Sequence, residues 1–298
     1  MKYDYEKWTI PQKYCKLRDW IDIDDLYWGD FLCSGLSGNP NAIYLLEQNQ
    51  QCIHWIYLSI NPNAIELLEK NFDKINWEWV SLNPNAIELL KKNPDKIDWL
   101  CLSSNPNAME LLKQNPDKIN WNSLSLNSSA IELLEQNQSK IIWRMLSKNC
   151  NAIEILKKNI EYINWYNLST NKNPNAITLI KNNLDKFGIN EYRELCSNPN
   201  AIELLKQNQE KINWDWLSEN PNAIELLKQN PDKINWKMLS KNPNAIEFLE
   251  QNQHKIDWFY LSYNPAIFTY DYEKIKKDNE QLNKELIEYI WHPLRIFP

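Results

Sequence analysis

The stretch Asn83-Pro84-Asn85-Ala86-Ile87-Glu88-Leu89-Leu90-Lys91-Lys92-Asn93-Pro94-Asp95-Lys96-Ile97-Asp98-Trp99 decides the fold. Asn83 is placed to cap a helix that opens on Pro84, a position where the missing N–H of proline costs nothing. Ala86, Leu89 and Leu90 then fall at i, i+3 and i+4 and share one apolar face. Asn93-Pro94 ends this helix after about nine residues, because proline cannot continue the ladder and pushes the residue before it out of the helical region. Pro94-Asp95-Lys96 predicts a single 3₁₀ turn. Asp98 then caps a second, shorter helix in which Trp99 and Leu102 share an inner face. The β-branched alternation that a strand requires is missing.

Outward from this stretch the same unit recurs. The alanine of the NPNA string stands at Ala42, Ala64, Ala86, Ala108, Ala130, Ala152, Ala176, Ala201, Ala223, Ala245 and Ala266, a spacing of 22 with late exceptions of 24, 25 and 21. Helices this short are not stable alone in water, so neighbouring repeats must cover each other. The expected fold is therefore an all-α solenoid of about ten 22-residue helix-turn-helix repeats with N- and C-terminal caps. Trp55, Trp77, Trp99, Trp121, Trp143, Trp165, Trp214, Trp236 and Trp258 hold one register position. With Ile and Leu at helical spacing around them, they read as the central column of the core and not as a stacking platform for bases or sugars.

Residues 1–36 carry Trp8, Trp20 and Trp28 without the NPNA signature, and Cys33 stands where later repeats have Trp, so this segment reads as an N-terminal cap. Residues 37–270 form the solenoid. In residues 271–298 a helix takes over, with Ile275, Leu282, Leu286, Tyr289 and Ile290 on one face. It is expected to fold back as a C-terminal cap, the alternative being a homo-oligomer formed through this helix. The solenoid is irregular at 169–192: two residues are inserted over Ser169–Asn173, three more around Phe187-Gly188-Ile189, and Tyr192 replaces the tryptophan. A bulged loop at Gly188 and a bent or loosened solenoid are expected there.

The composition narrows the function classes. The formal net charge is −6, with basic residues dispersed among acidic ones, which disfavours nucleic acid as a partner. The start MKYDYEKWTIPQKY lacks a signal-type apolar region and no stretch approaches a membrane span, so a cytoplasmic protein with no membrane role is expected. Six cysteines without a CxxC pair and three isolated histidines indicate neither a metal site nor a disulfide framework. Phosphate-cradling and hydrolase motifs are missing and there are four glycines in all, so neither catalysis nor a cofactor is expected.

Three positions vary from copy to copy: the two residues after each tryptophan and the residue before the next Asn-Pro. The second and third of these lie three apart and share one stripe of the second helix. Tyr57, Ile60, Trp79, Leu82, Met145, Trp216, Met238 and Tyr260 are accordingly the candidate partner-binding residues, since exposed aromatics and methionines are what an interface anchor set contains. If they serve this role, Tyr57, Trp79, Trp216 and Tyr260 must be substantially accessible. The expected function is a non-enzymatic protein–protein scaffold or adaptor. The alternative is modular binding of single-stranded nucleic acid, one residue set per repeat.

Whole units such as NPNAIELLKQNPDKINWKMLS, Asn220 to Ser240, resemble the 22-residue helical tandem-repeat proteins encoded by giant DNA viruses of amoebae. The tail Tyr289-Ile290-Trp291-His292-Pro293-Leu294-Arg295-Ile296 is similar to the HPxRI endings of those proteins. The Asn-Pro start and Pro-Asp turn also resemble leucine-rich-variant α/3₁₀ solenoids. This resemblance covers nearly the whole chain. It implies the fold, a viral source and an adaptor role on host proteins, and it brings no activity assignable residue by residue.

Overall fold

Each repeat begins with a helix opened by its tryptophan, such as Trp99–Ser104, whose first turn is capped where Asp98 Oδ1 accepts from the Cys101 N–H at 2.8 Å. The NPNA string forms a tight 3₁₀ turn or its near equivalent. A six-residue helix follows, such as Ile87–Lys92, so the regular α-helix is shorter than the spacing predicts and starts after the alanine. Ala86, Leu89 and Leu90 are buried as expected. The 3₁₀ turn Pro94–Lys96 leads into the next tryptophan helix. The computed structural model describes residues 12–26 and 34–290. Trp8, Trp28, Cys33 and the 291–296 tail lie outside the described residues.

The asparagine before each proline does more than cap. Asn105 Oδ1 accepts from the Asn107 N–H at 3.0 Å, while its amide donates to the Ser81 and Asn83 carbonyls of the preceding repeat at 3.0 and 2.9 Å. Among the described residues the same pattern runs from Asn61 through Asn83, Asn105, Asn127, Asn149, Asn171, Asn198, Asn220 and Asn242 to Asn264. All of these side chains are buried. A buried amide is tolerated because every donor and acceptor is met; removing that of Asn105 would orphan the Ser81 carbonyl and leave the Asn83 carbonyl with its Ala86 N–H bond alone. A serine column runs beside it: Ser81 Oγ donates to the Trp77 carbonyl at 2.7 Å and accepts from the Asp98 N–H of the next repeat at 3.1 Å.

The ladder does not end at the last repeat. Asn39 of the first repeat donates to the Ser262 and Asn264 carbonyls of the last at 3.3 and 3.1 Å, and Asn41 donates to the Pro265 carbonyl at 3.0 Å. The helix Ser34–Gly38 packs between Trp55–Ile60 and Trp258–Ser262. Strand β1 (Cys15–Leu17) pairs antiparallel with β2 (Phe268–Tyr270), Cys15 opposite Tyr270 and Leu17 opposite Phe268. The solenoid is thus closed into a ring. Tryptophan helices follow one another closely around the inside, and the NPNA helices are splayed on the outside. The two end segments cover the terminal repeats jointly, by sealing this seam.

Three expectations need correction. The tryptophans are half-buried and lie beside the core, not at its centre. The fully buried column is Leu58, Val80, Leu102, Leu124, Leu146, Leu168, Leu195, Leu217, Leu239 and Leu261. Each tryptophan starts its helix at the edge of the ring, and in four repeats the lysine of the following 3₁₀ turn covers it: Lys118 stands 4.8 Å from the Trp99 ring centre, Lys140 4.5 Å from Trp121, Lys233 4.6 Å from Trp214 and Lys255 4.5 Å from Trp236. The insertions neither bend nor loosen the array, because Asn171 and Asn198 keep their rungs at 2.8 to 3.0 Å. At Gly188 the chain forms no bulged loop. The extra residues lengthen the inner helix to Ile189–Cys196, and the Gly188 N–H donates to Glu191 Oε2 at 2.9 Å. Finally, among the described residues the C-terminal helix Tyr272–Ile290 is anchored near its start, where Lys274 donates to the Lys13 carbonyl at 3.0 Å and the Tyr14 hydroxyl donates to Asp278 at 2.7 Å, and Leu282, Leu286 and Ile287 are exposed.

Candidate functional site: the inner wall of the ring

Within an inner helix the leucine and serine three and four residues after the tryptophan point into the core. Positions one, two and five after the tryptophan therefore occupy the opposite face, and closure turns that face toward the centre of the ring. With helix axes about 9 Å apart, the inner helices enclose a bore of roughly 20 Å between side chains, wider than one helix. The variable stripe is its lining.

The wall has two unlike arcs. One runs from the last repeat across the seam into the first four, with Phe259, Tyr260 and Tyr263, then Ser34 and Gly35, then Ile56, Tyr57, Ile60, Trp79, Leu82 and Leu100, and with the exposed carboxylate of Glu78 among them. Tyr57 lies 6.2 Å from Trp79 and 4.9 Å from His54, and Tyr260 lies 5.3 Å from Phe259. Ser34 and Tyr263 hydrogen-bond across the seam. Small residues at the seam leave a recess of about 300 Å³ bounded by Ser34, His54, Ile56, Tyr57 and Trp79. His54 Nδ1 is buried there without a hydrogen-bond partner. The other arc is charged, with Arg144, Lys148, Arg193, Lys237 and Lys241 set against Glu194, Asp215 and Glu219; Lys241 meets Glu219 at 3.1 Å and Arg193 meets Glu194 at 3.5 Å.

Closure brings Tyr57, Ile60, Trp79 and Leu82 into one arc with Tyr260, and Met238 follows Tyr260 on the neighbouring repeat. Trp216 stands on the charged arc beneath the Arg193 guanidinium, 5.6 Å from ring centre to carbon, and packs on the core. Met145 is half-buried between Arg144 and Lys148. Tyr57, Trp79, Trp216 and Tyr260 are all half-buried, so the substantial exposure expected of them is not met. The more open apolar groups are one residue earlier, Ile56 at 39% and Leu100 at 57%. Sequence reasoning passed over these, and over Phe259 and His54, because only closure places the last repeat beside the first.

The remaining chemistry is sparse. Among the described residues no group of three or more His, Cys, Asp or Glu could hold a metal ion, and no helix is long and apolar enough to cross a membrane. Burial pushes the Cys101 thiol up to about 12, with Asp98 adding to the effect, and burial pushes Cys196 up to about 11 against the hydrogen bond from Asn213. Compared with family models, curated proteins and solved structures, the chain matches none.

Proposed function

We propose that the ring is a non-enzymatic scaffold that holds a segment of a partner protein against its inner wall. The observation that carries this reading is the joining, by ring closure, of Phe259, Tyr260, Ile56, Tyr57, Trp79 and Leu100 into one mainly apolar arc, interrupted by Glu78, opposite an arc that holds most of the bore's charges. Aromatics clustered around a recess form the kind of centre that anchors a partner, and His54 Nδ1 offers a polar contact within it. On the opposite arc Arg193 and Lys241 are paired with carboxylates, so single-stranded nucleic acid would meet Arg144, Lys148 and Lys237 alone, and the formal net charge of −6 disfavours that alternative. The resemblance to giant-virus repeat proteins suggests the cytoplasm of an infected host cell as the setting.

A photo-crosslinking side chain placed at Ile56, and separately at Glu66 on the outer helices, tests the proposal in host-cell extract. A discrete protein adduct from position 56 and none from 66 is expected, with loss of that adduct when Leu100 is changed to Asp. Adducts from position 66 alone would place the partner on the outside and end the inner-wall reading. Retention of a labelled 20-nucleotide single strand at low salt would favour the nucleic-acid alternative.

A further inference from the structure

Three neighbouring repeats depart from the common pattern in one direction. Ile142 stands where Asn120 and Asn164 cap the adjacent inner helices, and its helix, Trp143–Leu146, has no side-chain cap. In the next 3₁₀ turn Ile160 stands where most copies have Pro or Gln, as Phe72 and Leu184 do in two others, and Tyr162 replaces the usual Lys. Ile189 opens the lengthened helix of the repeat after that. All four side chains are exposed, by 40%, 42%, 53% and 86% in chain order, and all lie along the edge where the inner helices begin. Aromatic contacts support this strip from below: Trp143 with Tyr162 at 4.9 Å, Trp165 with Phe187 at 6.2 Å, and Phe187 with Tyr192 at 5.8 Å.

The strip ends in a cleft of about 620 Å³ whose walls include Phe187, Ile189, Tyr192 and Ile212. Its origin is local, since the extra helical turn raises one wall and a tyrosine replaces the larger tryptophan. Two cations border it. Arg193 Nε is buried without a hydrogen-bond partner. Lys211 lies 4.5 Å above the Tyr192 ring and donates to its hydroxyl at 3.4 Å, with no carboxylate partner among the described residues. The exposed Glu210 also borders the cleft.

We propose that this cleft is a second docking site, at the edge of the ring and bordering the inner wall at Arg193, whose guanidinium also meets Glu194 at 3.5 Å, that takes from a partner protein a bulky apolar side chain with a carboxylate close beside it. The apolar group enters between Phe187, Ile189 and Ile212, the carboxylate meets Arg193 and Lys211, and the flanking residues lie over Ile142, Ile160 and Tyr162. A cleft of this size with apolar walls and a few charged groups suits such an anchor.

The probe is a displayed library of random dodecapeptides selected on the full chain. Enriched peptides are expected to pair an aromatic residue or leucine with Asp or Glu within two positions. Their binding should weaken at least tenfold in Ile189→Asp and in Lys211→Glu, both exposed positions, and stay unchanged in Ile56→Asp, with circular dichroism showing each variant folded. No enrichment, enriched peptides lacking a carboxylate, binding that survives both edge substitutions, or binding lost with Ile56→Asp would each overturn the proposal.

Discussion

The side-chain amide of Asn39 donates to the carbonyl of Asn264 at 3.1 Å, across 225 positions of sequence. It is the same bond that Asn61 makes to Asn39 at 2.9 Å within the array. The first repeat therefore reads the last one as its predecessor, and the core has no open end. Open solenoids must shield two apolar end faces with special capping repeats, and here each terminal face is covered by the other.

Gly35 is required by this seam. A Cβ there would stand 1.9 Å from Ser262 Oγ and 2.9 Å from Ser262 Cβ. Gly35→Ala is expected to destabilise by about 1–3 kcal/mol through overpacking, against a helix-propensity gain of up to about 1 kcal/mol. Hydrogen exchange should quicken in residues 34–38 and 258–270 before it does in the middle repeats. A higher melting temperature for this variant would mean the seam is looser than its geometry.

A mid-array rung tests the ladder. Asn127→Ala removes bonds to Ser103 and Asn105 at 3.1 and 2.8 Å and strands the buried Ser103 carbonyl, while the Asn105 carbonyl keeps its bond from the Ala108 N–H at 3.1 Å, which should cost about 3 kcal/mol. Trp121→Ala, at a half-buried ring, should cost no more than this, toward the low end of the ~3–5 kcal/mol of a fully buried aromatic. Urea melts of the two variants give the order directly.

Removal of residues 279–298 should leave the melting temperature nearly unchanged, because Leu282, Leu286 and Ile287 are exposed among the described residues. Removal of 263–298 takes away Asn264 and β2 and should open the ring, seen as an increased radius in solution scattering. Equal compactness of the two truncated chains would show that the seam does not hold the circuit.

The anchor of the C-terminal helix is pH-dependent. Hydrogen bonds from Tyr14 and Lys13 hold the Asp278 carboxyl below its ordinary value of 3.8. Its contribution is thus fully present above the ordinary value and is lost as pH falls through the lowered one. A carbon-detected NMR titration should place its midpoint below 3.8, and a midpoint at or above that value would show the contact is not kept in solution.

Cys101 and Cys196 should resist iodoacetamide at pH 8 in the folded chain, since their thiols are pushed up to about 12 and about 11 and the thiolate is the reactive form. Cys52 and Cys150, both half-buried, should react before them. Labelling of Cys101 at the rate of the denatured chain would contradict its burial.

The sequence by itself determined the repeat. Caps such as Asp98, the Pro94 turn and the i, i+3, i+4 spacing of Ala86, Leu89 and Leu90 act over a few residues, so local chemistry was enough to read helix, turn and helix. It also showed which positions vary, and so which stripe to inspect. What it could not show was each variable residue's exposure, because Trp79 and Trp216 occupy the same register position and differ only in what the neighbouring repeats place over them. Nor could it show the second role of the asparagines, since a cap and a ladder rung require the same residue. Closure was decided by tertiary structure alone. Each repeat must turn by roughly 33° for the eleventh to meet the first, and that angle depends on how closely inner helices pack relative to outer ones around the whole circuit. No single repeat contains this information, and only the packed ring places Asn39 within reach of Asn264.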